Sequence, residues 1–162
     1  MSIVLELPDR LLVKLKELSD SRNISLEEAI LEAIYEYVEE MDPEMRSEMY
    51  LKLCEKYLRD AKELLSKGDY VQAGEKLWGA AAQIVKAVAA RRGIVLDSHA
   101  KLWDFVASLR VELNDPDIGR QWSVANSLHK NFYEAQVSPE LVKDYAEDVR
   151  KFVDKLKLLI TK

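Results

Sequence analysis

Two histidines, His99 and His129, are the only imidazoles in the chain. Imidazole is the side chain best placed for proton exchange near neutral pH. His99 follows Ser98, a favoured helix-capping residue, so it stands at a helix N-terminus, where the dipole disfavours the charged ring. A neutral imidazole there suits a base, and it equally suits an inert surface residue. His129 lies in the stretch "LHKNFYEAQ", which also holds Asn131, Tyr133 and Glu134. Two histidines without a third paired ligand make a poor metal site, so no metal is expected. No Gly-rich phosphate loop and no serine or cysteine nucleophile motif occurs, and no cofactor is expected.

On a helix, Leu128 and Phe132 stand one turn apart and share a face with Ala125 and Trp122, which predicts core. His129 and Tyr133 share the next face. Asn131 is expected to turn inward as a buried polar contact. Two readings stay open: a hydrogen-bond network that fixes helix register, or the rim of a ligand groove. Trp78 is read as a core aromatic, with a base-stacking platform as the alternative. Its neighbours Glu75, Lys76 and Lys86 are expected in solvent. Gly79, in the middle of the same helix, predicts close approach of another helix.

The elements that must position these residues are helical. Gly (5) and Pro (4) are scarce, and helix formers dominate. Asp42-Pro43 opens a helix to about Ser66, and Lys67-Gly68-Asp69 turns into a second from Tyr70 to about Arg92, ended by Gly93. These two predict an antiparallel hairpin. Ser98 caps a third helix to about Leu113. Asn114 to Asp117 turn into a fourth that runs to about Gln136. Ser138-Pro139 opens the last, with the apolar stripe Leu141, Tyr145, Val149, Phe152, Val153, Leu156 and Ile160. Ahead of them, Ile3 to Leu7 form a β-prone run and Pro8 ends it. Asp9 is expected to cap a helix bearing Leu11, Leu12, Leu15 and Leu18. Asn23 supplies a turn, and Ser25 with Glu28 matches a capping box.

The bulk composition narrows the partners. The 162 residues carry a net charge of −5, which lacks the basic footprint of a general nucleic-acid binder. No stretch approaches the ~18 apolar residues of a membrane span, so no membrane partner is expected and the location is predicted to be cytoplasmic. The single cysteine, Cys54, sits in a helical apolar pattern and is read as a buried small hydrophobe.

The first 40 or so residues resemble the ribbon-helix-helix module, in which two chains pair their strands. The resemblance implies an obligate dimer whose exposed strand side chains enter the DNA major groove. Here neither strand face offers Arg, Lys, Gln or Asn, and residues 1–42 hold four basic against eleven acidic side chains. That sign opposes phosphate contact, so DNA is an unfavoured partner and dimerisation or packing is the expected role.

From about residue 45 onward the chain resembles the archaeal PaREP family and, through it, HEPN domains. The segments that carry this are "EKLWGAAAQIVKAVAARRGI", "SHAKLWDFVASL", "LHKNFYE" and "SPELVKDYAEDVRKFVDKL". The resemblance implies a helical bundle, commonly dimeric, of a class that includes ribonucleases and inactive nucleotide binders. The class's nuclease motif is an Arg, four to six residues, then His. Six residues separate Arg92 from His99, but Gly93 and the Asp97-Ser98 cap intervene. The motif also belongs before the last helix, where His129-Lys130-Asn131 stands instead.

The expectation is therefore an all-α, HEPN-like up-and-down bundle over 43–162, preceded by a strand-helix-helix segment over 1–42, and a homodimer. The function expected is non-enzymatic: binding a nucleotide, RNA or a protein partner through His99, His129, Asn131, Tyr133, Glu134 and Trp78. A metal-independent ribonuclease built on Arg92 and His99 is the runner-up, and a DNA-binding regulator is the third reading.

Overall fold

Asparagine, glycine and proline punctuate the chain into helices. A computed structural model describes residues 1–38, 42–134 and 137–161; the side chains of Tyr133 and Glu134 lie outside the described residues. The helices are α1 (Asp9–Arg22), α2 (Leu26–Tyr37), α3 (Pro43–Ser66), α4 (Tyr70–Arg91), α5 (His99–Glu112), α6 (Asp117–Glu134) and α7 (Pro139–Lys157). Among the described residues there is no strand.

The chain divides into two units, Met1–Met41 and Asp42–Lys162. In the first, residues 1–8 take no regular structure, which corrects the expected strand over Ile3 to Leu7. The physical reason is that a ribbon strand draws its backbone hydrogen bonds from a second strand, and one chain alone offers none. Asp9 does not cap α1. The cap position falls on Pro8, which has no side-chain acceptor to offer. Asn23 ends the helix in the left-handed region at φ 52, and Arg22 pairs with Glu32 of α2 at 2.7 Å. Ser25 accepts from the Glu28 amide at 3.0 Å, as the capping box requires.

In the second unit, side chains close the helix starts as their types predict. Asp42 Oδ1 accepts from Met45 N at 2.7 Å with Pro43 at the first turn. Asp69 caps α4, Ser98 caps α5 and Ser138 caps α7. Gly68 and Gly93 take positive φ, 76 and 73, where the chain leaves α3 and α4.

α4 is the axis of this unit. It packs most extensively on α3, and also on α6, α7 and α5. Every residue from Ala80 to Ala90 is buried, so the helix has no wet face there. Six alanines in that run let the neighbouring backbones come close. Gly79 has the expected cause: a Cβ there would stand 2.9 Å from Cδ2 of Tyr57 on α3. Ser47 ties the same pair by donating its hydroxyl to the Ala87 carbonyl at 2.8 Å. Ile84, Leu128 and Phe152 fill the centre, each worth about 1.5–3 kcal/mol of apolar transfer.

The stripe of α7 is partly different from that expected. Val149, Phe152, Val153 and Leu156 are buried, but the first inward residue is Val142, while Leu141 is 44% exposed. Ile160 falls beyond the helix, which ends at Lys157. Cys54 is buried, and burial pushes its thiol up to about 12.

Candidate functional site

Three helices of the second unit bring their rings together. α4 supplies Glu75, Trp78 and Lys86, which repeat at helical spacing along one side. α5 begins with His99, and α6 carries His129 in its second half. The Trp78 ring stacks on His99 at 5.6 Å between centroids and on His129 at 5.1 Å. The two imidazoles are 5.8 Å apart. The three rings thus make a near-equilateral triangle, with Trp78 buried and both histidines at the partly exposed edge.

The triangle has an aromatic floor and a carboxylate brace. Trp122 lies 5.0 Å from Trp78 and continues to Trp103 edge-on at 5.8 Å. Nδ1 of His129 faces Glu75, 2.9 Å from Oε2 and 3.3 Å from Oε1. An ionised carboxylate only accepts, so Nδ1 is the donor in this contact. His99 is held below the ordinary imidazole range, first by burial, then by the neighbouring His129 and Lys86. The direction matches the expectation, but burial rather than the helix dipole leads.

Each residue singled out in the sequence has a definite fate. His99, His129 and Trp78 are brought together, although His99 could not be placed from sequence. Asn131 turns inward as expected and is almost fully buried, but its role is a cap: Oδ1 accepts from the Val137 amide at 2.7 Å. Tyr133 and Glu134 lie on the last turn of α6, with their side chains outside the described residues. Leu128 is core, and Phe132 is half-buried. Arg92 does not approach as a free cation; both its terminal nitrogens sit 2.8 Å from the Glu112 carboxylate, which raises its proton affinity further.

Two residues were misread as solvated. Lys86 is buried, with its ammonium 5.9 Å from the Tyr50 ring centre, because α4 is surrounded along that stretch. Glu75 is the brace on His129. A signal for both was present: Glu75, Trp78 and Lys86 fall at i, i+3 and i+11, on the stripe that carries the tryptophan. Lys76 behaves as a rim residue, 3.3 Å from Asp60 and over the Tyr57 ring. Among the described residues no group of three or more His, Cys, Asp and Glu could hold a metal ion. Among the described residues no helix is long and apolar enough to cross a membrane.

Comparison with known proteins points to one family. The family model described as the archaeal PaREP1/PaREP8 family matches residues 49–153, a span that takes in Glu75, Trp78, His99 and His129. A crystal structure of a protein from Sulfolobus solfataricus is similar, with a TM-score of 0.60 and 32% sequence identity over 67% of this chain and 96% of that chain. No functionally curated protein matches. With most of the second unit inside the family match, the chain belongs to the archaeal PaREP1/PaREP8 family.

Proposed function

We propose that the protein is a HEPN-like, non-catalytic binding protein that works as a homodimer and takes a nucleotide or RNA at the His99–His129 edge. The observation that carries this reading is the ring triangle of Trp78, His99 and His129. Two imidazole edges lie partly exposed at one place, and Glu75 orients the His129 ring through Nδ1. Lys86 lies close enough to His99 to depress its protonation, so it adds positive potential for a phosphate. The buried Trp78 is support for the imidazoles rather than an open stacking platform.

The test is thermal unfolding with AMP, ADP and short single-stranded RNAs, beside a His99→Ala/His129→Ala variant. A ligand that binds only the folded state raises the midpoint by mass action. The reading expects a rise in the wild type that disappears in the folded variant. No rise with any of these ligands would sink it and favour a protein partner.

A second reading, a metal-independent ribonuclease, draws on the His129–Glu75 contact, since a carboxylate-braced imidazole suits general acid–base work. Its pair would be His99 and His129, because Arg92 is engaged by Glu112. Cleavage of RNA in EDTA that is lost in His129→Ala would support it.

A further inference from the structure

An open groove between α5 and α6, which shares Trp103 with the aromatic floor beneath the ring triangle, has a volume of about 520 Å³. Its walls include Trp103, Val106 and Val111 of α5 and Gly119 of α6, and it carries two arginines, Arg110 and Arg120. The size falls within the ~300–1,000 Å³ typical of small-molecule sites. Trp103 is 39% exposed and Val111 70%, so apolar surface is open to water beside the guanidinium groups.

Two further observations point to an occupant. Arg120 is held by Asp117 at 2.8 Å and Arg92 by Glu112, but among the described residues Arg110 has no carboxylate partner. The second observation is Gly119. Of the glycines inside helices, Gly79 is required by Tyr57, and at Gly74 an added Cβ would come into ordinary contact with Leu128, 3.4 Å from its Cδ2. A Cβ at Gly119 would meet nothing within 4 Å. Glycine weakens a helix, and no packing among the described residues accounts for it here. It leaves a notch in the groove wall.

We infer that this groove binds a small organic anion, a carboxylate or sulfonate with a flat or branched apolar body. The body lies on Trp103, Val106 and Val111 and enters the notch at Gly119. The anionic group meets Arg110, with the N-terminal end of α6 nearby. Trp103 touches the floor of the ring triangle, but none of these residues is one of its three rings, so the inference does not rest on the proposed nucleotide site.

The test uses the full chain and the dye 8-anilinonaphthalene-1-sulfonate, with uncharged N-phenyl-1-naphthylamine as its neutral counterpart. The expected result is saturable 1:1 binding of the sulfonate, weakened about tenfold by Arg110→Ala, the loss of one charge-assisted contact. Gly119→Leu fills the notch and should abolish binding while the melting midpoint holds or rises, since leucine is the better helix former. The His99→Ala/His129→Ala variant should bind the dye as the wild type does. Dye binding that ignores both groove variants would overturn the inference. So would equal affinity for the neutral dye with no effect of Arg110→Ala. Absence of dye binding together with a concentration-dependent dimer broken by Gly119→Leu would assign the groove to a second copy of the chain and equally overturn it.

Discussion

Nδ1 of His129 stands 2.9 Å from Oε2 of Glu75, across 54 residues of sequence. The contact joins α6 to α4 and orients the imidazole from behind. Glu75→Ala is expected to lower stability by about 1 kcal/mol, the usual worth of such a partly buried hydrogen bond, and Glu75→Gln by less, because the amide oxygen still accepts. Urea unfolding curves with an unchanged slope would measure both.

Gly79→Ala should destabilise, although alanine is the better helix residue. The added Cβ meets the Tyr57 ring at 2.9 Å, and overpacking of that kind costs about 1–3 kcal/mol, more than the propensity gain. Adding Tyr57→Leu to Gly79→Ala should recover part of the loss. A simple sum of the two single effects would show that the ring is not the obstacle.

His99 links stability to pH. Its folded proton affinity is lowered, so the unfolded chain binds the proton more readily. Stability from this group is complete above the unfolded value of about 6.5 and falls as pH drops below it. Wild type should lose thermal stability between pH 7 and 5.5 more steeply than His99→Gln. Parallel pH profiles of the two proteins would contradict this.

Cys54 should be inert in the folded protein, because the thiolate is the reactive form and burial holds the thiol up at about 12. Ellman's reagent at pH 8 is expected to detect the thiol only after denaturation. Prompt reaction in native buffer would show that the region of α3 around Cys54 opens.

Asn131→Ala removes the acceptor of the Val137 amide and leaves that donor without its partner. The expected cost is about 1–3 kcal/mol. Amide exchange at Val137 should quicken before exchange in α4 changes.

Helix starts were the most legible part of the molecule. Asp42-Pro43, Ser98 and Ser138-Pro139 announce local hydrogen bonds made within three residues, and these formed as read. The inward turn of Asn131 and the tight spot at Gly79 were also legible, since each follows from one residue type in one periodic setting. The meeting of His99 with His129 was not, because it depends on how α5 and α6 lie against α4. Burial of Lys86 was hidden for a related reason: charge at a position predicts solvent until the number of neighbouring helices is known. The strand over Ile3 to Leu7 failed because β-propensity alone does not make a strand without a second strand to share its hydrogen bonds, and the described residues hold none. The groove at Arg110 and Gly119 gave almost no signal in sequence, since a glycine that leaves space reads the same as one that admits a neighbour.

The unbroken burial of Ala80 to Ala90 has a consequence during synthesis. α4 leaves the ribosome before α6 and α7, two of the helices that cover it, have been made. At roughly 5–20 residues per second, the nascent chain therefore carries for several seconds an uncovered run whose only polar side chains are Gln83 and Lys86. During that interval α3 is the only completed bundle helix able to shield it, so the α3–α4 hairpin must close early for the newborn chain to escape aggregation or capture by a chaperone.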